Sequence, residues 1–195
     1  MEDYLNNINE IPEETKNLFK NIKLIAFDFD GVFTDNHVYT NDRGEEMVKS
    51  SKLDGFGLNK LDKLGIKKII LSTETNETVK KRAEKLNIDC KYGLAHKEEQ
   101  LKEISLDQKI DLKNIAFVGN DINDINSLKI CGLPIVVRDS HPETIIFAKY
   151  VTVLKGGNGA VREVCDIIEK LNQWLSKLWI INLKISSTFK TMSLF

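Results

Sequence analysis

The sequence predicts an α/β fold: a doubly wound, Rossmann-like parallel sheet of about six strands, with a β-hairpin inserted after strand one and no large cap domain. Three observations lead there. Short apolar runs rich in Ile and Val alternate with amphipathic stretches along residues 21–171, the pattern of parallel strands buried on both faces and joined by helices. Most of those runs end in small or acidic polar residues, and in such sheets ligands bind beyond the carboxyl ends of the strands. The one break in the alternation follows the first run directly. It is a pair of short segments around a glycine-containing turn, the signature of a hairpin.

Residues 1–20 are expected to form an N-terminal arm or helix. The first fifteen are acidic and polar, without the basic and apolar regions of a secretory signal. Ile22–Asp28 reads as strand one, and residues 36–49 as the hairpin, turning at Asn41-Asp42-Arg43-Gly44. A helix is expected over Phe56–Leu64, then a strand over Lys67–Leu71 that ends in Ser72-Thr73-Glu74. Glu77–Leu86 reads as helix, Ile88–Tyr92 as a weaker strand and Lys97–Leu106 as helix. Ile115–Val118 is a strand ending in Gly119-Asn120-Asp121, followed by a helix over Asp124–Cys131. Pro134–Val137 and Tyr150–Val153 supply further strands, and Ala160–Leu171 the last helix, its apolar residues spaced by three and four. Residues 172–195, with Trp174, Trp179, Phe189, Phe195, three lysines and no acids, are set apart as a C-terminal tail.

The 195 residues carry 28 basic and 29 acidic side chains, a net charge of −1. That balance argues against a chain-wide field for nucleic acid, and no apolar run approaches the roughly 18 residues of a membrane span. Cys90, Cys131 and Cys165 are odd in number and lack C-x-x-C spacing, as expected of reduced thiols in a cytoplasmic protein.

Four polar signals carry chemistry. Asp28 and Asp30 project to the same side of an extended strand end. Two anions so placed need a proton or a cation between them, and a hard dication such as Mg²⁺ takes oxygen ligands of this kind. Ser72 can donate to a phosphate oxygen, although a serine there equally well caps a helix. Lys97 opens a helix, where its charge opposes the dipole; alone it reads as a solvated residue or as an anion holder. Asp121 and Asp124 follow Gly119 at a strand end, either as a metal corner or as a capped loop.

In this order the fragments resemble the four motifs of the haloacid dehalogenase-type phosphatases, from about Leu24 to Leu171. Phe27–Asp35, Asp54-Gly55-Phe56-Gly57 and Gly156–Val164 are further similar to the 3-deoxy-D-manno-octulosonate 8-phosphate phosphatase group. That group includes enzymes for nine-carbon 2-keto-3-deoxy sugar acids and the C-terminal domain of some acylneuraminate cytidylyltransferases; no cytidylyltransferase domain is present in these residues. The resemblance implies a phosphatase in which Asp28 is the nucleophile, forming an aspartyl-phosphate, and Asp30 the general acid and base. It implies that Ser72 and Lys97 hold the phosphoryl oxygens. Mg²⁺ would be bound by Asp28, the Asp30 carbonyl and Asp121, with Asp124 orienting Lys97 or the metal waters. Asn120 stands where the family often has a first aspartate, and is expected to be tolerated.

About 18 residues separate Asp35 from Asp54, which leaves no room for a cap. The resemblance therefore implies a homotetramer in which hairpins associate and a neighbouring subunit closes each site. The implied partner is a small-molecule sugar acid phosphate, with no nucleic acid and no membrane. Arg162 is a candidate for the substrate carboxylate. Glu74 replaces an Arg-like position and resembles the nine-carbon branch, in which such a glutamate pairs with a lysine on the following helix; Lys85 is the matching residue. This favours a nine-carbon 9-phosphate, with 3-deoxy-D-manno-octulosonate 8-phosphate as the alternative. The rival functions are a receiver-type phosphoacceptor and a non-catalytic oligomerisation or regulatory domain.

Overall fold

Residues 4–173 are described by the computed structural model; the C-terminal segment singled out above lies almost wholly outside them. Strand β1 (Leu24–Phe27) buries all four of its side chains, which suits a strand with neighbours on both edges and helices on both faces. It is central in a parallel sheet ordered β5-β4-β1-β6-β7-β8, formed with β4 (Lys67–Leu71), β5 (Asp89–Lys91), β6 (Ile115–Gly119), β7 (Leu133–Val136) and β8 (Tyr150–Val151). After β1 the chain winds outward through β4 and β5, then returns across β1 to β6. The β1/β6 boundary is therefore the switch point, where crevices open in such sheets. Phe27 pairs in register with Ile70 and Val118, so the polar residues that follow emerge side by side at that end.

Alternation along the strands divides the interior in two. Ile25, Phe27, Ile70 and Val118 face a layer containing α1 (Glu13–Lys20), α2 (Leu53–Lys63), α3 (Thr78–Leu86) and a helix at 160–173, α7. In the order of the chain, α4 (Lys97–Asp107), α5 (Ile125–Ile130) and the short α6 (Pro142–Ile145) come between α3 and α7. Leu24, Ala26, Ile69, Leu71 and Phe117 face the opposite layer, where Leu101 and Ile104 of α4 and Leu128 of α5 pack.

The hairpin forms its own two-stranded antiparallel sheet, β2 (Thr34–Thr40) with β3 (Glu46–Ser50). It starts at Thr34 rather than residue 36, because the register shifts between Thr34 and Val38. Val38, Tyr39 and Met47 are more than half exposed on it. Among the described residues no large cap domain stands over the sheet.

Two elements depart from the sequence reading. Helix α2 begins at Leu53, three residues before the expected Phe56, and so takes in Gly55, a residue of low helix propensity, as well as Gly57. Packing overrides propensity: a Cβ on Gly57 would sit 3.1 Å from the Arg162 Cα and the Cys165 Cβ, so the glycine lets α2 approach α7. Helix α6 escapes notice because it is one turn long, with Pro142 in its first turn and the His141 ring accepting the Glu143 N–H. Cys90, Cys131 and Cys165 are free thiols. Among the described residues no helix is long and apolar enough to cross a membrane.

Asp54, in the first turn of α2, is 1% exposed, and neither of its carboxylate oxygens has a hydrogen-bond partner among the described residues. Burial pushes its pKa up to about 7, against the opposing charge of Arg82. A carboxyl whose folded pKa is raised loses stability as pH climbs from its unfolded pKa of about 4 to the folded value, and the loss persists above it. Asp54→Asn is therefore expected to stabilise the protein at pH 8, by about 2 kcal/mol, while changing little at pH 4. Urea unfolding at the two pH values checks this; an equal effect at both would show that the charge is not the cause.

Candidate active site

The site grows from the ends of β1 and β6. The Asp28 N–H extends the ladder by donating to the Val118 oxygen at 2.8 Å, and the chain then turns. Asp28 Oδ1 accepts the Phe29 N–H at 2.7 Å. The Phe29 carbonyl accepts the Phe33 N–H at 2.8 Å and the Thr34 N–H at 3.2 Å, closing a tight loop in which Gly31 has φ 75°. A Cβ at Gly31 would fall 1.9 Å from the Asn120 amide, so only glycine lets the two strand ends meet this closely.

Lys97, the first residue of α4, is buried. Its Nζ lies 2.8 Å from Asp28 Oδ1 and 2.8 Å from Asp124 Oδ1. The second oxygen of Asp124 accepts the N–H groups of Asn120 at 2.8 Å and Asp121 at 3.3 Å. One ammonium thus ties β1 to the loop after β6. Burial favours the neutral form of Asp28, and with the nearby Asp124 charge it raises the Asp28 pKa against the pull of Lys97. Burial works against the Lys97 charge as well, but Asp28 and Asp124 outweigh it and raise its pKa. When all three are ionised the trio carries a net −1, so a phosphate dianion entering here requires a further cation.

The donors for such a cation are oxygens. With its amide nitrogen turned toward β1, Asn120 donates to the Asp30 carbonyl at 2.9 Å and to Asp28 Oδ2 at 3.3 Å. The Asp28 carboxylate, the Asp30 carbonyl and the Asn120 amide therefore converge. Asp121 lines the same cavity of about 330 Å³, together with Asp30, Asn36, Ser72, Thr73, Ile122 and Asn123. No cluster of three or more acid, imidazole or thiol side chains suited to a metal exists among the described residues. The corner's oxygens are carboxylate and carbonyl, a hard donor set that fits Mg²⁺. Asn120 presents its amide nitrogen to two of them. Asp121 Oδ1 accepts the Ile122 N–H at 2.7 Å.

Asp30 has its proton affinity raised, chiefly by burial, while the Thr34 hydroxyl, which donates to Asp30 Oδ1 at 3.3 Å, lowers it. Ser72 is buried at the end of β4, where its hydroxyl accepts the Glu74 N–H at 3.1 Å. The structure thus brings together Asp28, Asp30, Ser72, Lys97, Asp121 and Asp124. Glu74 borders them, lining an adjoining slot of about 50 Å³ with Asp30, Val38, Glu46 and Asn76. Its Oε1 accepts the Thr75 and Asn76 N–H groups at 2.6 and 2.8 Å.

Two residues singled out from the sequence are not brought to this cavity. Lys85 lies in the last turn of α3 and lines a separate depression with Lys52, Phe56 and Asn59. Seven residues of helix separate it from Thr78, about 10 Å of rise, and within one chain it forms no ion pair with Glu74 among the described residues. Arg162 Nε is 2.8 Å from both oxygens of Asp166, one turn along α7, and the side chain packs over Gly57. It does not line the cavity.

Other residues shape the site unannounced. A Cβ on Gly156 would fall 1.8 Å from the Gly31 oxygen, and one on Gly157 2.4 Å from the Asp35 nitrogen. The double glycine buttresses the loop that carries Asp30. Buried Glu163 holds the approach to it, accepting the Val153 and Leu154 N–H groups at 2.8 Å each and the Tyr150 hydroxyl at 2.7 Å. The Gly-Gly pair was the available signal; nothing local marks Glu163.

Comparison with known proteins agrees with this geometry. A family model described as haloacid dehalogenase-like hydrolase matches residues 6–164. The 3-deoxy-D-manno-octulosonate 8-phosphate phosphatase KdsC of Yersinia pestis is 35% identical over 149 residues, 76% of this chain and 80% of that protein. The enzyme of the same name from Escherichia coli K12 is 35% identical over 150 residues, again 76% and 80%. Among solved structures, the Moraxella catarrhalis 3-deoxy-D-manno-octulosonate 8-phosphate phosphatase in complex with magnesium, phosphate and KDO superposes with a TM-score of 0.80. It shares 31% identity, over 86% of this chain and 97% of that one.

Thr34→Val removes the hydrogen bond that favours the Asp30 carboxylate, so Asp30 should titrate at higher pH, whereas Thr34→Ser should leave it in place. Carboxyl-carbon NMR of Asp30 across a pH series reads this directly; a Thr34→Val titration superposing on the wild type would refute the assignment.

Proposed function

The chain belongs to the haloacid dehalogenase-like hydrolase family, as a phosphatase of that family, and from this premise we propose that it hydrolyses the phosphomonoester of a 2-keto-3-deoxy sugar acid in the cytoplasm with Mg²⁺. The observation that carries the proposal is the buried Lys97 ammonium bridging Asp28 and Asp124. It fixes a carboxylate at the floor of a cavity sized for a phosphoryl group and leaves that cavity short of positive charge.

In this reading the Asp28 carboxylate, its Oδ1 held by the Phe29 N–H and Lys97, attacks phosphorus and forms an aspartyl-phosphate as the bond to the ester oxygen breaks. Asp30 gives its proton to the departing alkoxide, and its raised proton affinity suits that task. It then takes a proton from the water that attacks the intermediate, releasing phosphate and restoring Asp28. The Ser72 hydroxyl and Lys97 steady the phosphoryl oxygens. The Asp28 carboxylate, the Asp30 carbonyl and Asp121, with the Asn120 amide beside them, would hold Mg²⁺, which supplies the positive charge the phosphoryl group requires.

The relatives are named for 3-deoxy-D-manno-octulosonate 8-phosphate, which makes that ester the first candidate. Glu74, at the border of the site, supports the nine-carbon 9-phosphate as a second reading, since a carboxylate there accepts hydrogen bonds from sugar hydroxyls. Phosphate release from both esters, N-acetylneuraminate 9-phosphate and several hexose phosphates decides between them. Mg²⁺-dependent turnover of one sugar acid phosphate, lost by at least a thousandfold in Asp28→Asn, is the expected result. Folded protein without turnover on any of them would overturn the proposal in favour of a non-catalytic domain.

The active unit we propose is a homotetramer assembled through the hairpins. The exposed Tyr39 and Met47, paired across the hairpin, give one of its faces an apolar surface. The described residues lining the two adjoining cavities include no cation for a substrate carboxylate; in this reading a neighbouring subunit brings one. Light scattering is expected to give four times the chain mass; a monomer at micromolar concentration would exclude this arrangement.

A further inference from the structure

Among the described residues three non-glycines have left-handed backbones: Asn36, Asn87 and Lys109. Asn87 caps the end of α3 and Lys109 follows the end of α4, where this conformation is the ordinary way to close a helix. Asn36, with φ 61°, is at no helix end. It stands near the start of β2, where the chain leaves the loop of the two catalytic acids. A left-handed backbone costs a non-glycine residue about 1 kcal/mol, and here the surroundings impose it. The Asn36 N–H donates to the Thr34 hydroxyl at 3.3 Å. On the preceding residue, Gly157 abuts the Asp35 backbone and Lys49 pairs with the Asp35 carboxylate at 3.0 Å.

The conformation delivers the Asn36 side chain to the cavity of Asp28, Asp30 and Ser72. Every other acid or amide lining that cavity is committed: Asp28 to Lys97, Asp30 to Thr34, Asn120 to the Asp30 carbonyl, Asp121 to the Ile122 N–H and Asn123 to Thr73. The Asn36 amide alone among them has no hydrogen bond to a described residue. The same Thr34 hydroxyl contacts both Asp30 and the Asn36 backbone, which puts Asn36 beside the group that serves the leaving oxygen. Being neutral, its side chain does not repel the phosphoryl group. Having a donor and an acceptor, it can pair with a hydroxyl in either orientation.

We propose that Asn36 is a specificity residue that binds a hydroxyl of the alcohol portion close to the ester bond. This rests on the phosphomonoester reading above. The discriminating variant is Asn36→Gly, which keeps the left-handed backbone unstrained and deletes only the amide. Asn36→Asp is the second; it keeps the shape and removes the donor, and the charge it adds acts on the phosphoryl group of every ester alike, so it too is read only through a ratio between esters. The readout is kcat/KM for glycerol 1-phosphate and for the preferred sugar acid phosphate, each divided by that for phenyl phosphate, which has no hydroxyl near the ester. The ratio is expected to fall about tenfold in Asn36→Gly, the size of one neutral hydrogen bond, mainly through a higher KM for the hydroxylated esters. An unchanged ratio in both variants would overturn the proposal, as would an equal loss on phenyl phosphate, which would mark a structural role. Wild-type enzyme active on glycerol phosphate but on no sugar acid phosphate would overturn the substrate class proposed above, and the Asn36 ratio would then be decided on glycerol phosphate. Absence of turnover on every ester would overturn both.

Discussion

One buried ammonium between two carboxylates organises the molecule's working end. Lys97 comes from the start of a helix, Asp28 from the end of β1 and Asp124 from the loop after β6. The three elements are far apart in the chain and meet only at the switch point of the sheet. Burying such a charge is tolerable only because both partners are present; an unmatched ammonium or carboxylate in that position would be strongly destabilising. Asp124 extends the arrangement by accepting two backbone N–H groups, so the same carboxylate that neutralises Lys97 sets the course of the Asn120–Asp121 backbone. Fold and chemistry therefore share one set of contacts.

Backbone proximity is the second constraint, and it is written in glycines. Gly31 admits the Asn120 amide, and Gly156 and Gly157 admit the loop after β1. Together they bring three chain segments within van der Waals reach without side chains between them. The resulting loop is braced on both sides, which holds Asp30 and Asn36 in fixed relation to Asp28. Positioning of this kind is a large part of how a protein accelerates phosphoryl transfer.

The middle of the sheet was legible because its signals are local and repeated: β1, β4, β6 and β7 are largely buried apolar runs of four or five residues, separated by stretches with helical spacing. Asp28, Asp30, Ser72, Lys97, Asp121 and Asp124 were legible because each falls at a strand end or helix start, and the topology gathers those ends. What escaped depends on contacts between distant segments. Helix α2 starts at Leu53 rather than Phe56, with Gly57 packed against α7. Asn120 was expected to be tolerated in place of an acid, and the contact of its amide with the Asp30 carbonyl was not foreseen. Lys85 was matched to Glu74 by its place on the next helix, but that helix carries it to the far end. Arg162 was a candidate for the substrate carboxylate, and within the chain it pairs with Asp166, four residues along the same helix. Motif spacing cannot show how far either side chain lies from the cavity.

The strand order has a consequence for how the protein comes into being. The strand that leads into Asp28 is the first of the main sheet to be made and the most interior, flanked by β4 and β6 from much later in the chain. Pairings of such long sequence separation close slowly, because loop entropy is lost before contacts reward it. The Asp28 carboxylate thus waits, solvated and unpartnered, until residues 97 and 124 have been synthesised and docked. The glycine brace from residues 156 and 157 arrives later still. Catalytic competence is a late event on the folding route, reached only when nearly the whole described chain is in place, so partly made or partly folded molecules carry the motif without its reactivity.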